Sequence, residues 1–388
     1  MSNFKHIYNQ IPKKSIFPSS KNENWRYFNL QRLKEKLNQT EYSRNNFLIN
    51  YIKKETTHLK IDNESIFLNK NLPKGISIDI INPENFNSLN SKILKRIGTI
   101  ASIDSNYFIS ENTEKFSQLI LINVKENNVV ESNLELDINV SSKIELKPRF
   151  FIYADKKSSS SIKINWNNSF CNINSVFEFY LDKQSDMNLI ITNNGEDSLN
   201  ILNYAFEIEA KSNLKTTFIS LGNQILKNDI RINLVGENAM ADIGGLYIAK
   251  SNSMTDYNIE MNHLSKKTFS NQFFKGILSE NAKASFTGRV KIEKNCIDSK
   301  SDQVNNNLLL SEKAQINSDP QLEVYCNDVE CSHGSTVGQF DEDILFYLQS
   351  RGISKEYAKK MLLEAFYIDI LNRINNTSIQ SMVEKSIV

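Results

Sequence analysis

Between about residue 76 and residue 325 the chain alternates apolar and polar positions in short runs, which Asn, Ser, Gly and Asp separate. In a strand every second side chain points to the same side, so this alternation predicts strands rather than helices. About a dozen strands are expected, with hardly a helix pattern among them. The clearest runs are Ser117–Val124, Phe150–Tyr153, Ser161–Trp166, Ser175–Leu181, Asn188–Thr192, Tyr204–Glu209, Lys215–Ser220, Asp229–Val235, Gly244–Ile248, Ser285–Ile292 and Gln321–Tyr325.

Three turn-like segments of similar sequence each precede an alternating run. They are Gly-Glu-Asn-Ala at 236–239, Ser-Glu-Asn-Ala at 279–282 and Ser-Glu-Lys-Ala at 311–314. A turn followed by a strand, recurring along the chain, indicates stacked coils, as in a β-helix or a similar solenoid. A two-sheet sandwich is the structural alternative. The pattern therefore predicts a mainly β fold.

Helical patterns flank the predicted strands. Within residues 23–58, two groups of apolar residues recur at helical spacing: Leu30, Leu33 and Leu37, then Phe47, Leu48, Tyr51 and Ile52. We predict an N-terminal helical cap over residues 1–75, a β-helix core over residues 76–338 and a C-terminal helical domain over residues 339–388.

The C-terminal segment predicts two helices with defined ends. Acidic Asp341–Asp343 begins the first and Gly352 ends it, while Ser354 caps the second, which runs to about Ile374. The second helix carries an apolar stripe and further apolar residues beside it: Ala358, Met361, Leu362, Ala365 and Ile368, then Leu363, Phe366, Tyr367, Ile370 and Ile374. A helix that is apolar on most sides must be covered on most sides, so we expect it to cover the core and to meet a partner.

Composition narrows the class of protein. The 388 residues carry 46 Lys and Arg against 45 Asp and Glu, which argues against a dedicated nucleic-acid binder. Four cysteines are too sparse for a disulfide scaffold and favour a reducing, cytoplasmic location. The N-terminus lacks the apolar region of a secretory signal, and no window is apolar enough for a transmembrane helix.

The most distinctive chemistry is the pair Cys331 and His333. Residues i and i+2 of an extended chain point to the same face, so this thiol and this imidazole can address one metal ion or one cluster. Two ligands are too few, because zinc and iron–sulfur centres usually take four. Other parts of the chain or a second protein must supply the remainder. The alternative is a buried thiol and a hydrogen-bonded histidine with structural roles.

Two further residues, Cys326 and His263, are minor candidates for ligands of the same metal ion or cluster. Cys326 would point away from Cys331 on a continuous strand, unless a bend at Asn327–Asp328 brings it round. His263 lies beside apolar residues and is more simply structural. The segment Gly334–Gly338 lacks the spacing and the Lys of a P-loop, so ATP binding by this chain is not expected.

Several motifs in order give the chain a resemblance to the SufB/SufD family of the SUF iron–sulfur cluster assembly machinery, and within it to the SufD type. The resemblance covers residues from about Trp25 to Ile374. The motifs that carry it are Trp25-Arg26, Pro148-Arg149, Asn233–Glu237, Gly245–Tyr247, Lys275-Gly276, Asn305–Leu309, Pro320–Glu323, Cys331–Gly334, Thr336–Gly338, Phe346–Leu348 and Ser350–Ile353.

The resemblance implies a right-handed parallel β-helix between two helical segments. It also implies a non-catalytic scaffold that pairs with SufB and binds the ATPase SufC through its C-terminal helices. A nascent cluster or iron, held only transiently, would be shared with SufB at the interface, with His333 and Cys331 among its ligands. The candidate contacts to SufC are Phe346, Tyr347, Arg351, Met361 and Phe366.

Two other functions stay open at the level of sequence. The first is a polysaccharide-processing enzyme of the secreted β-helix type, which would need carboxylates projecting from adjacent coils; no such constellation is visible at coil spacing. The second is a structural homodimer in which Cys331 and His333 have no ligand role.

Overall fold

The alternating runs form the stacked strands of a β-solenoid in the computed structural model, which describes residues 16–42, 47–52, 57–103 and 106–387. In chain order the strands are β1 Glu41–Tyr42, β2 Leu48–Ile52, β3 Leu59–Ile61, β4 Ser65–Asn69, β5 Ile76–Ile81, β6 Leu119–Val124, β7 Leu134–Ile138, β8 Ile144–Leu146, β9 Arg149–Ala154, β10 Ser159–Trp166, β11 Asn172–Leu181, β12 Asp186–Ile208, β13 Asn213–Leu234, β14 Met240–Ala249, β15 Met254–His263, β16 Phe269–Leu278, β17 Lys283–Ile292, β18 Ser299–Leu309, β19 Gln315–Val324 and β20 Val329–Gly338. The helices are α1 Leu30–Leu37, α2 Ser91–Leu94, α3 Tyr107–Lys115, α4 Glu342–Ser350, α5 Lys355–Asn372 and α6 Thr377–Ile387, with 3-10 turns at Glu23–Trp25 and Pro83–Ser88.

Successive coils pair in parallel and build two sheets. Sheet 1 runs from β7 through β10, the first halves of β12 and β13, and then β14, β16, β18 and β20. Sheet 2 runs from β6 through β9, β11, the second halves of β12 and β13, and then β15, β17 and β19. Strands of one sandwich sheet would be antiparallel, so this parallel pairing excludes the sandwich alternative and confirms the prediction of stacked coils.

The three similar segments are the corners of the coils, as the sequence predicted. Each is a turn that ends one residue before a strand, β14, β17 or β19. The alanine of each turn is buried, and Asn238 and Glu280 adopt left-handed backbone conformations with φ of 59° and 55°. The buried residue of each turn must be as small as alanine, because the next coil packs directly against the corner.

The core fills the space between the two sheets and changes character along the solenoid. In the early coils it is aromatic, with Phe150 stacked on Phe177 at 4.0 Å and Phe179 on Phe206 at 4.4 Å between ring centroids. Towards the C-terminus the inward positions of β18 become polar. They are Ser299, Ser301, Gln303, Asn305 and Asn307, all buried.

The helical pattern predicted within residues 23–58 is confirmed for Leu30–Leu37, which the Asn29 side chain caps, and is wrong for Leu48–Ile52, which forms strand β2 against β4. Strand pairing overrides the helical spacing in this β-branched and aromatic segment. Trp25 packs the N-terminal segment onto sheet 2 beside Leu199 and Ile201. Residues 1–15 of the predicted cap lie outside the described residues.

Helices also occur inside the region that was expected to contain hardly any. Helices α2 and α3 lie on the outer face of sheet 2, where the buried Arg149–Glu178 ion pair, 2.7 Å between Nη2 and Oε2, anchors them. Arg149 also donates to the Thr113 hydroxyl, and Glu178 accepts from the Gly98 and Ala101 amides. The division at residues 75 and 338 stays a prediction.

The C-terminal helices cover the outer face of sheet 1. Asp341 caps α4 and Ser354 caps α5, as predicted, and Gly352 between them has a φ of +86°. The buried side of α5 consists of Ala358, Leu363, Tyr367, Ile370 and Leu371. The predicted apolar stripe lies largely on the other side, because Met361 and Ile368 are exposed.

Two glycines, Gly244 and Gly245, lie inside strand β14 where neighbouring side chains leave no room for a Cβ. A Cβ on Gly244 would lie 2.8 Å from Nε of Arg373, which follows α5 and pairs with Asp242. A Cβ on Gly245 would meet the Phe274 ring of β16 at 2.5 Å. Among the described residues, no helix combines the length and the apolar character needed to cross a bilayer.

Candidate functional site

The C-terminal end of the solenoid is open. In the described part of the chain, β19 pairs only with β17 and β20 only with β18, so the outer edges of both strands face outward without a partner strand. Pro320 lies within β19, where a residue without an N–H is tolerated at a sheet edge. Val324, Tyr325 and Val337 are exposed on this last coil. An unpaired apolar edge is a surface on which another chain can dock.

Cys331 and His333 lie on β20 and point to the same side, as their spacing predicts. Their register partners on β18 are the inward-facing Ser301 and Gln303. The intervening Ser332 faces the other way, since it donates to the Asp302 carboxylate on the outer face. No further coil covers β20 within the described chain. The inward face of the last strand is therefore accessible from the open end.

The two side chains differ in exposure. Cys331 is partly buried and packs against the apolar core, whereas His333 is exposed. Burial raises the pKa of the Cys331 thiol, and a hydrogen bond with the Ser301 backbone offsets part of that rise. Bound iron or another cation would favour the thiolate and reverse this effect. The pair thus offers one sulfur and one nitrogen ligand at a rim that solvent reaches.

A polar layer lies directly beneath the pair, and sequence reasoning missed it. The Ser301 hydroxyl is 2.8 Å from that of Ser270, and Gln303 Nε2 is 3.5 Å from Gln272 Oε1. Gln303 is the register partner of His333 in the strand beneath. Its Oε1 is buried and has no hydrogen-bond partner among the described residues. Gly288 makes room for this side chain, because a Cβ there would lie 1.6 Å from Gln303 Nε2. The signal in the sequence is the run of polar residues at every second position of β18.

His263, a minor candidate, lies inside the solenoid and is fully buried. Its Nδ1 is 2.7 Å from the Thr268 hydroxyl and its Nε2 is 2.8 Å from the Ser270 hydroxyl. Burial lowers the pKa of His263 to about 4, so the ring is neutral at pH 7. Both nitrogens are engaged, and a metal ion would have to break one of these hydrogen bonds. The geometry favours a structural role.

Cys326, the other minor candidate, lies in the corner between β19 and β20. The strand is interrupted between Val324 and Val329, and Cys326 packs against the same interior cluster as Cys331. The bend considered at Asn327–Asp328 is therefore present. Cys296 lies in the preceding coil, buried, and its thiol is 3.3 Å from the His263 carbonyl oxygen.

The candidate ligands in the described part of the chain do not complete a metal site. Within the described ranges, no group of three or more His, Cys, Asp or Glu side chains is arranged to hold a metal ion. Cys331 and His333 would supply two of the usual four ligands.

A second exposed surface lies on the C-terminal helices. Phe346 and Tyr347 on α4 are 73% and 56% exposed, and the Arg351 guanidinium lies over the Tyr347 ring at 5.1 Å. Met361 on α5 is also exposed, whereas Phe366 is half-buried and lies beneath the Lys275 ammonium at 5.0 Å. All the candidate contacts to an ATPase except Phe366 are therefore open to a partner.

Comparison with known proteins agrees with this geometry. A family model described as "SUF system FeS cluster assembly, SufBD core domain" matches residues 138–366, more than half of the chain. The iron–sulfur cluster assembly protein SufD of Escherichia coli is 33% identical over 163 residues, which are 42% of this chain and 38% of that protein. A SufBD family iron–sulfur cluster assembly protein of Synechocystis is 30% identical over 217 residues, 55% of this chain and 48% of that protein. The aligned parts thus span less than half the length of these two relatives.

Proposed function

Since the chain belongs to the SufB/SufD family of iron–sulfur cluster assembly proteins, we propose that it is a non-catalytic scaffold subunit of the SufD type. Its open end presents Cys331 and His333 to a nascent cluster, and a SufB-type subunit supplies the remaining ligands. The cluster or its iron is cargo that is held transiently. The observation that supports this role is the incomplete pair of ligands on the inward face of an uncovered last strand.

The unpaired edges of β19 and β20 support a heterodimer in which the open ends of two solenoids meet. A related subunit with the same coil geometry would place its own last strand against β20 and its own ligands opposite His333. Strand edges provide main-chain hydrogen bonds and the exposed Tyr325 and Val337 provide apolar contact, which together favour a specific docked arrangement.

The C-terminal helices suit an ATPase partner of the SufC type. The chain lacks the sequence of a P-loop, so ATP hydrolysis would belong to that partner. Helix α5 is fixed to sheet 1, where Lys275 Nζ lies 2.7 Å from Asp369 Oδ2 and 2.6 Å from the Phe366 carbonyl oxygen. Movement of the ATPase would therefore be transmitted to the solenoid. Four free thiols fit a reducing cytoplasm.

The test is anaerobic cluster reconstitution on the chain co-expressed with SufB-type and SufC-type proteins. His333→Ala should leave folding and co-purification unchanged and reduce the iron and sulfide bound, together with the visible absorption of the cluster. Ser332→Ala is the matched control, because Ser332 lies between the two ligands but faces outward. Unchanged assembly in His333→Ala would contradict the proposal and favour the structural homodimer.

A further inference from the structure

A pair of thiols, Cys296 and Cys326, lies in neighbouring corners near Cys331 and His333. Cys296 is in the corner between β17 and β18, and Cys326 is in the corner between β19 and β20. Ser299 on β18 is the register partner of Val329 on β20, and each cysteine stands three residues before one of these partners. Counted back from β18 and β20, the two cysteines therefore correspond, and the corner that holds Cys296 is two residues longer than the corner that holds Cys326.

The stacking of the two corners keeps these positions close. The Tyr325 amide donates to the Ile292 carbonyl oxygen at 2.9 Å, and the Asp298 amide donates to the Asp328 carbonyl oxygen at 2.8 Å. Neighbouring strands lie about 4.8 Å apart, which is within the Cα separations of about 4.4–6.8 Å that a disulfide spans. The side chains also turn the same way, because both thiols contact the interior cluster.

The two thiols differ in access. Cys296 is 1% exposed, whereas Cys326 is half-buried and closes the corner from the open end. Burial raises the pKa of the Cys296 thiol, and the charge of the nearby Cys326 thiolate raises it further. A reagent that enters from the open end therefore meets Cys326 first. The other two cysteines have different surroundings, since Cys171 is buried against the Val140 carbonyl and Cys331 faces Ser301.

We propose that Cys296 and Cys326 form a reversible disulfide when the chain meets a peroxide. The Cys326 thiolate attacks one peroxide oxygen, the second oxygen leaves as water after protonation, and a sulfenic acid remains on Cys326. The Cys296 thiol loses its proton and attacks that sulfur, and the sulfenic oxygen leaves as a second water. One peroxide is reduced to two waters while two thiols are oxidised to one disulfide.

The disulfide would join the last corner covalently to the preceding coil. Cys331 stands five residues after Cys326, so the bond would restrict the segment that presents the ligand pair. This consequence rests on the proposed function, whereas the disulfide itself does not. The proposed disulfide is therefore a redox-sensitive link between the last two corners, next to the open end.

The experiment uses the isolated chain without iron or partners, so its outcome is independent of cluster assembly. The chain is treated with hydrogen peroxide, denatured, alkylated and mapped by mass spectrometry without reduction. The number of alkylated cysteines should fall from four to two, and one linked peptide pair should contain Cys296 and Cys326. Dithiothreitol should restore all the thiols. The bond should form faster at mildly alkaline than at neutral pH, because Cys296 must lose its proton.

Variants make the result specific. Cys326→Ser and Cys296→Ser should abolish the linked peptide, and Cys171→Ser and Cys331→Ser should retain it. Because Cys326 is only half-buried, Cys326→Ser should fold normally. It therefore tests the link even if the loss of the buried Cys296 thiol disturbs folding. Oxidation that stops at a sulfenic or sulfinic acid on Cys326, or a disulfide that includes Cys331, would overturn the proposal.

Discussion

At the scale of single residues, the close approach of one coil to the next dictates which side chains are tolerated. Gly236 begins one of the three similar corners, and a Cβ on it would lie 1.9 Å from the Ala210 backbone nitrogen. Backbone atoms of a stacked coil cannot yield as a flexible side chain can. The glycine is therefore fixed by space at this corner, and its φ is not in the left-handed region.

Gly236→Ala should lower the free energy of unfolding by about 3 kcal/mol or more, since an added methyl group has no room. Chemical denaturation followed by circular dichroism measures the change. Gly338→Ala is the matched control, because nothing lies within 4 Å of its Cβ and its change should stay within about 0.5 kcal/mol. Equal stability of the two variants would contradict the close packing of the corners.

His263 should make stability depend on pH. Its pKa is about 4 in the folded chain and its ordinary value is 6.5. As the pH falls from 6.5 to 4, the unfolded state takes up a proton at this ring and the folded state does not, so stability falls. The loss relative to His263→Asn should approach about 3 kcal/mol at the acid end. Denaturation midpoints measured across this range check it, and parallel curves for the two proteins would contradict a neutral buried ring.

At the scale of elements, the sequence predicted part of the set of strands. Runs with apolar inward positions, such as Phe150–Tyr153 and Ser285–Ile292, were found as strands, but β7 and β15 were missed although their inward residues are apolar. Strand β18, whose inward residues are polar, was also missed, and the layer beneath His333 with it. The segment Phe47–Ile52 has helical spacing yet pairs with β4, which only the tertiary fold could decide. The pair Cys331 and His333 was predictable because it depends only on the two-residue period of a strand.

Helix α4 should be an attachment point for the ATPase partner. Phe346→Ala and Tyr347→Ala should each lower the amount of SufC-type protein that co-purifies by about tenfold, as truncating an aromatic anchor commonly does. Both side chains are exposed, so the melting temperature should hardly change. Val129→Ala, at a residue that is 70% exposed and outside the C-terminal helices, is the control. Full co-purification with both variants would place the ATPase contact elsewhere.

At the scale of the whole molecule, the two ends of the solenoid differ in how they are covered. The early coils are covered by α2, α3 and the N-terminal segment, and sheet 1 is covered by the C-terminal helices. The last coil alone leaves both strands with open edges in the described chain, and it is there that Cys331 and His333 lie together on the inward face of an uncovered strand. The fold thus places Cys331 and His333 at an edge that a second subunit could cover.

The rate of alkylation of Cys331 tests this claim most directly. Iodoacetamide is applied to the isolated chain and to its complex with a SufB-type subunit, and peptide mass spectrometry follows Cys331 with buried Cys171 as the internal reference. Cys331 should react in the isolated chain and at least about tenfold more slowly in the complex, because an interface core excludes solvent. An equal rate in both states would show that the partner leaves this thiol uncovered, and would contradict a cluster shared across the open end.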